Sequence, residues 1–349
     1  MKELFKKNYK ILVAFILGLA ISGIGAYAVS IASSSVTYDN TTSGATATDV
    51  KGAIDELYNL AKNPRCPSGY TKSGNNTKYS CLKDNISIPV SFADDSWDTI
   101  IANVQTGNTA LYTVGSTKTV DLGTLGTHTL RVANNSTPAE CATEGFSQTA
   151  CGFVLEFADI ITTHQMNPYA NSGNSNGDGN RGGWEFSNMR AYLNSGKYLE
   201  GETGEIDYST TGIYSSLPEN LRNAIIGTTV VSGHGSKDTT NFTTIDKLYL
   251  LSTHEVWEDV DENTSGGIDY FDTAYNNTRQ LDYYKLQNIT TSNYSGANKK
   301  YGNDFVHCWL RSSKLNEFGS FCFVGGSMGY WSITSSYEEL GVSPAFRIG

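Results

Sequence analysis

The segment from Asp304 to Gly349 constrains the fold more than any other part of the chain. Ser320-Phe321-Cys322-Phe323-Val324 and Tyr330-Trp331-Ser332-Ile333-Thr334 alternate with the two-residue period of strands. Gly325, Gly326 and Gly329 between them open turn conformations closed to other residues, so the pair reads as a hairpin. Trp309-Leu310-Arg311 reads as a strand before it. Val342 to Ile348 reads as a closing strand broken at Pro344, which belongs at a strand start or on an edge. The intervening loops, Ser312 to Gly319 and Ser335 to Gly341, are rich in Ser, Asn, Tyr and Glu. Gathered at one end of the hairpin, they would form a binding face.

The Trp309-Leu310-Arg311-Ser312 start, the aromatic hairpin and the Gly341-Val342-Ser343-Pro344-Ala345-Phe346-Arg347-Ile348 ending resemble the bacterial domain family DUF6273. That ending is similar to C-type-lectin-like folds. Gly183-Trp184, Met189 to Asn194 and Asp246 to Ser252 extend the resemblance upstream, over Asn85 to Gly349. It implies an α+β, C-type-lectin-like domain of short twisted strands, short helices and long loops, and it implies no activity. Formylglycine-generating enzymes have a related fold and use a nearby cysteine pair. Cys308 and Cys322 lie too far apart in sequence to copy that motif.

With 39% hydrophobic residues over 349, the chain can bury a full core. Its net charge of −10 argues against nucleic acid, since no basic stripe is present to neutralise phosphates. Abundant Tyr and Gly, with Asn, Ser and Thr, match an extracellular β-rich protein.

At the N-terminus Lys2, Lys6, Lys7 and Lys10 precede an uncharged apolar run from Ile11 to Ala32. That run is about the ~20 residues a membrane-spanning helix needs. Residues 1–32 are therefore expected to anchor the chain at the cell surface. A signal-peptidase-like Ala26-Tyr27-Ala28 leaves cleavage and secretion as the alternative. Residues 33–63 read as a linker and a stalk helix, started by Thr46 and Asp49, with Val50, Ile54, Leu57 and Ala61 forming a coiled-coil-like seam. Val36 to Asn40 with Ala53 to Leu57 is similar to the linker units of phage tail fibres, which implies a homotrimer. The alternative is a helix lying against its own domain. Residues 64–84 form a Cys-bracketed hairpin, and 85–349 the main domain.

The cysteines fall into local pairs, Cys66 with Cys81, Cys141 with Cys151 and Cys308 with Cys322. Nearest-neighbour disulfides are the simplest pairing for an exported chain, with buried free thiols as the alternative. A zinc site is disfavoured because no Cys-x-x-Cys occurs.

In the main domain Ile86 to Phe92 reads as a strand, and Ser96 as the cap of a helix from Trp97 to Gln105. Tyr112 to Val114, Thr119 to Leu122 and His128 to Val132 read as strands, and Phe153 to Ile161 as a buried run. Short helices are expected over Ser187 to Asn194, over Ser216 to Ile226, and after Ser252, whose capping box is completed by Glu255.

Two loops carry oxygen ligands at calcium-loop spacing. Asp261, Asn263, Ser265, Gly266, Asp269 and Asp272 match an EF-hand loop that ends in Asp in place of Glu; Asn174, Asn176, Asp178, Gly179 and Glu185 match it more loosely. Such loops also arise by chance in Asp/Asn/Gly-rich sequence. The five histidines are scattered, and no nucleophile elbow, Walker loop or His-Glu-x-x-His helix occurs. Phe321, Phe323, Trp331 and Ile333 belong to strand faces and read as core, and Arg311 and Arg347 as structural. Asn316, Glu317, Phe318, Tyr330, Ser335, Ser336, Tyr337 and Glu338 are the expected ligand-binding set, facing an extracellular protein or glycan. The resulting expectation is a surface-anchored recognition protein, with an exported enzyme or a structural fibre or envelope component as alternatives.

Overall fold

The computed structural model describes residues 37, 46–62, 66, 70–74, 79–83, 89–168, 179–180, 182–200, 204–236, 238–259, 272–315 and 319–349. Two units result, one ending at Asp84 and one running from Asn85 to Gly349.

In the first unit Asp49 Oδ1 accepts the Gly52 amide at 2.8 Å, and helix α1 follows over Val50–Lys62. Glu56 takes the Thr46 and Ala47 amides at 3.0 and 3.1 Å, tying the helix to the chain that enters it. Ile54 and Leu57 stay exposed. Strands β1 (Tyr70–Gly74) and β2 (Tyr79–Lys83) pair antiparallel, and a Cys66–Cys81 disulfide joins the unit.

In the second unit helix α2 (Trp97–Gln105) starts where predicted, with the Ser96 side chain accepting the Thr99 amide. The strands follow as β3 (Thr117–Asp121), β4 (Thr127–Ser136), β5 (Gly152–Phe157), β6 (Thr162–Gln165), β7 (Lys197–Glu200) and β8 (Gly204–Asp207). Then come β9 (Thr228–Gly233), β10 (Asn241–Asp246), β11 (Lys299–Tyr301), β12 (Asp304–Val306) and β13 (Cys308–Ser313). The chain closes with β14 (Ser320–Val324), β15 (Trp331–Ser335), β16 (Glu339–Val342) and β17 (Ala345–Arg347). Single-turn helices lie between them: α3 (Asn188–Leu193), α4 (Ile213–Ser216), α5 (Glu219–Ala224), α6 (Thr253–Val256) and α7 (Asp282–Leu286).

Two sheets carry the core, a four-stranded one ordered β17-β5-β4-β3 and a five-stranded one ordered β15-β14-β13-β16-β6. The chain passes between them at β5 to β6 and again at β16 to β17. Pro344 sits at the second crossing, where a missing amide does no harm, and its carbonyl takes the Phe157 amide at 3.0 Å. The predicted strand break is thus the step from one sheet to the other. Val154, Leu155 and Phe157 of β5 bury with Leu130, Val132 and Phe346, while every residue of β13 and β14 is buried. Phe321 and Phe323 are core as expected, and Trp331 and Ile333 pack against it partly buried.

Several expectations are corrected. The architecture is a set of small sheets with few short helices, and the expected α+β lectin-like layering is not what forms. Only α1 and α2, at 13 and 9 residues, exceed six residues among the described helices. Burial here comes from continuous apolar strand runs, and helices this short cannot build a layer. No described helix is long and apolar enough to cross a membrane, and the Ile11 to Ala32 run lies outside the described residues. The end of the predicted Ile86 to Phe92 strand leads into a turn, because the Asp95 carboxylate captures the Val90 amide at 3.0 Å. Tyr112 to Val114 also lies outside the sheets, and the Ser216 to Ile226 helix forms over the shorter Glu219–Ala224 span of α5, with Pro218 at its N-cap and Ser216 ending α4.

Cys141–Cys151 is a second disulfide, as expected, but Cys308 and Cys322 are buried thiols that form no disulfide. Cys308 stands opposite Val324, so Cys322 is its diagonal neighbour, two residues down β14. Diagonal positions are ~7 Å apart or more, too far for a disulfide whose Cβ atoms need ~4 Å. Burial pushes the Cys308 thiol up to about 11.

Glu156 of β5 is fully buried. Arg131 NH2 donates to Oε1 at 2.7 Å, and Lys299 Nζ and Tyr284 OH donate to Oε2 at 2.8 and 2.9 Å. Burial alone raises this carboxyl, but the two cations overcome it and hold it down at about 2.

Two outcomes follow from this core. Unreduced chain should show no thiol to Ellman's reagent when native and two when denatured, from Cys308 and Cys322; none after denaturation would mean a third disulfide. Because the folded Glu156 lies below the ~4.3 of an unfolded Glu, its stabilisation is complete above that pH and is lost as pH falls toward about 2. Melting temperature should therefore drop across this acid window, and Glu156→Gln should flatten that part of the profile.

Candidate ligand-binding site

The structure divides the expected recognition residues between the two ends of β15, a strand of five residues that spans roughly 16 Å. Asn316, Glu317 and Phe318 lie outside the described residues. Ser336 is buried, its amide donating to the Gly319 carbonyl at 2.7 Å and its carbonyl accepting the Asn167 amide at 2.9 Å. Tyr337 is exposed, with its carbonyl taken by Gln165 Nε2 at 2.7 Å. Glu338 is exposed and closes a turn onto the carbonyl of Ser335, the half-buried last residue of β15. Tyr330 stands at the other end of the strand.

Around Tyr330 three segments converge. A Cβ on Gly329, at φ +75°, would sit 2.2 Å from the Tyr294 carbonyl oxygen, and one on Gly326 would sit 2.8 Å from the Phe305 carbonyl oxygen. Only glycine lets the β14–β15 turn approach both neighbours this closely. The Gly326 amide donates to His307 Nδ1 at 2.9 Å, and the His307 ring rests 4.6 Å from that of Phe323. The Gly325 amide donates to the Tyr330 carbonyl at 2.5 Å, and Tyr330 meets Tyr294 edge to face at 6.5 Å.

This fixed turn and the β11–β12 hairpin display large side chains to solvent: Tyr301 is 46%, Phe305 47% and Met328 51% exposed. In that hairpin Lys299 is buried on Glu156, while Lys300 and Phe305 face each other on the opposite face, with Nζ 4.7 Å over the ring. Rigid exposed aromatics with polar neighbours suit stacking on a sugar ring or a protein side chain. Sequence reasoning found Tyr330 and missed Tyr294, Tyr301, Phe305 and Met328. The available signal was Gly302-Asn303 between Tyr301 and Asp304, a two-residue hairpin turn.

Of the first calcium loop, Asp261, Asn263, Ser265 and Asp269 lie outside the described residues. Asp272 is described and its carboxylate is already engaged: Ser312 Oγ and Thr253 Oγ1 donate to Oδ2, and the Ala274 amide donates to Oδ1 at 3.0 Å. In the second loop Asn174, Asn176 and Asp178 are outside, and Glu185 lies 3.8 Å from His234. Among the described residues no group of three or more His, Cys, Asp or Glu is placed to hold a metal ion. The histidines stay apart, His128 on Asp159, His164 on the Gln165 carbonyl, His234 on Asp238, His254 on the Tyr275 carbonyl and His307 on the Gly326 amide. Burial lowers the pKa of His164, whose ring stacks on Tyr192 at 4.2 Å.

These features define a disulfide-bearing domain of small sheets that exposes aromatic side chains on the β11–β12 hairpin beside a glycine-locked β14–β15 turn. The chain belongs to the family described as Domain of unknown function (DUF6273), whose pattern matches residues 157–349 and so includes the whole patch. No curated protein and no solved structure matches the chain.

Gly329→Ala forces a side chain onto both a left-handed backbone and the Tyr294 carbonyl. It should destabilise the domain by roughly 1–3 kcal/mol in urea denaturation; an unchanged midpoint would mean that the turn is not locked against Tyr294.

Proposed function

We propose that this is an exported recognition protein that binds an extracellular glycan or protein through the patch formed by Tyr294, Tyr301, Phe305, Met328 and Tyr330. The observation that carries this reading is the exposure of Tyr301, Phe305 and Met328 beside a β14–β15 turn held by glycine contacts, with Tyr294 and Tyr330 half-buried next to it. Preorganised aromatics lose little conformational entropy on binding, so a small patch can act as an anchor. Export is supported by the two disulfides and by the lysine-flanked apolar run at the N-terminus. The net charge of −10 favours neutral or basic partners over anionic ones.

A glycan and surface-protein array with the exported part of the chain tests this. Phe305→Ala and Tyr330→Ala should each weaken a hit by about tenfold or more, with the circular dichroism unchanged, while Tyr337→Ala should leave it intact. A hit indifferent to the first two variants, or lost with Tyr337→Ala, would place recognition elsewhere.

A further inference from the structure

A backbone N–H can only donate, so the Gly326 amide 2.9 Å from His307 Nδ1 needs a bare lone pair on that nitrogen. His307 therefore carries its ring proton on Nε2. The other four histidines are the reverse case. Nδ1 of His128 and His234 faces the carboxylates of Asp159 and Asp238, and Nδ1 of His164 and His254 faces the carbonyls of Gln165 and Tyr275. Those four contacts take a proton on Nδ1 and survive charging of the ring; the contact at His307 does not. Proton uptake there sets one N–H against another, which removes the bond and leaves a donor without an acceptor.

The bond sits where the two displayed segments meet. A Cβ on Gly326 would lie 2.7 Å from the Val306 carbonyl carbon and 2.8 Å from the Phe305 carbonyl oxygen, so the β14–β15 turn lies directly on the end of β12. Phe305 is exposed on that strand and Met328 on that turn. Around the ring stand Phe323 of β14 and the backbone of Gly325 and Gly326, with the Tyr330 ring lying where a Gly325 side chain would be. β16 meets His307 through the Gly341 amide, on the His307 carbonyl, and Cys308 beside it is a buried neutral thiol. Charged side chains of the adjoining elements are engaged elsewhere or exposed: Lys299 on Glu156, Arg311 on Glu255, Lys300 over Phe305, and Asp304 and Glu339 in solvent. Among the described residues no carboxylate pairs with the His307 ring, in contrast to His128 and His234.

We propose that His307 is an acid-operated latch: with Nδ1 bare it holds the β14–β15 turn against the end of β12, and with Nδ1 protonated it lets the turn go, together with a ligand held there. The restraint is complete while the ring is neutral and is lost as pH falls through the range of about 5 to 8 in which histidine charges. The latch itself follows from the hydrogen-bond geometry, while its effect on ligand binding rests on the recognition function proposed above.

Full-length chain in non-ionic detergent, labelled with nitrogen-15 at histidine and glycine, tests the latch without any ligand. At about pH 7.5 the His307 ring should show a bare Nδ1. At about pH 5 the Gly326 amide should lose about tenfold of its protection against exchange, corrected for intrinsic exchange, as a lost hydrogen bond requires. His307→Asn offers Oδ1 to the same amide and does not titrate, so Gly326 protection should stay constant over that interval. His307→Phe should show the low protection at both pH values. A ligand found on the array should bind the unaltered chain about tenfold more weakly at the lower pH, and His307→Asn equally at both. A protonated Nδ1 at about pH 7.5, Gly326 protection indifferent to pH, or the same acid loss in His307→Asn would each overturn the latch. Ligand binding that ignores pH while Gly326 opens would overturn the regulation. Absence of any ligand would count against the recognition function, and the exchange data would still decide the latch. Should either variant fail to fold, the ring and amide measurements on the unaltered chain decide.

Discussion

The fold of the second unit depends on the buried pair of Arg311 and Glu255. Arg311 NH1 and NH2 meet the two carboxylate oxygens at 2.6 and 2.5 Å, and its remaining donors reach Ser232 Oγ and the Leu250 carbonyl. Glu255 also accepts from Thr278 Oγ1, Thr149 Oγ1 and the Ser252 amide. Burial alone would raise its carboxyl, yet Arg311 and these donors hold it below its ordinary range. One ion pair therefore ties β13 to β9, to the start of α6 and to the segments at Thr149 and Thr278. Removing one partner from such a pair costs roughly 3–5 kcal/mol, because the other charge is left buried without compensation. The arrangement rewards one docking of these short elements and penalises others.

Glu156 plays the corresponding part between the four-stranded sheet and the β11–β12 hairpin. It joins Arg131 on β4 to Lys299 on β11, and Lys299 also donates to Ser343 beside the Pro344 crossing. Lys299 and Tyr301 belong to one strand, so the buried ion cluster and the displayed hairpin are two parts of a single short element. The β11–β12 hairpin is thus fixed at its base to a buried charge, and the neighbouring β14–β15 turn is fixed by close glycine contacts.

Much of this was legible in the residues. The Ser320 to Val324 strand, the break at Pro344, the Ser96 cap, the Ser252-Glu255 pairing and two of the local disulfides each depend on chemistry within a few positions. What failed were inferences that needed a distant partner. Cys308 and Cys322 looked like a pair by spacing, but strand register placed them on a diagonal. The calcium-loop reading is not one of these: the Asp272 carboxylate accepts from Ser312 and Thr253, and the rest of that loop lies outside the described residues. Ser336 looked like a loop residue open to ligand, but Gly319 and Asn167 buried it.

The sequence by itself determined the hairpin around Phe321 and Ile333, the break at Pro344 and which glycines must turn, since two-residue alternation, a missing amide and a missing Cβ act locally. Only the tertiary structure decided that the β14–β15 turn packs against the backbone at Tyr294 and Phe305, that Tyr337 lies at the far end of β15 from that turn, and that β15 is left at an edge. Those outcomes depend on strand order, which is set by contacts between residues far apart in the chain, with Arg311 on Glu255 and Lys299 on Glu156 foremost among them.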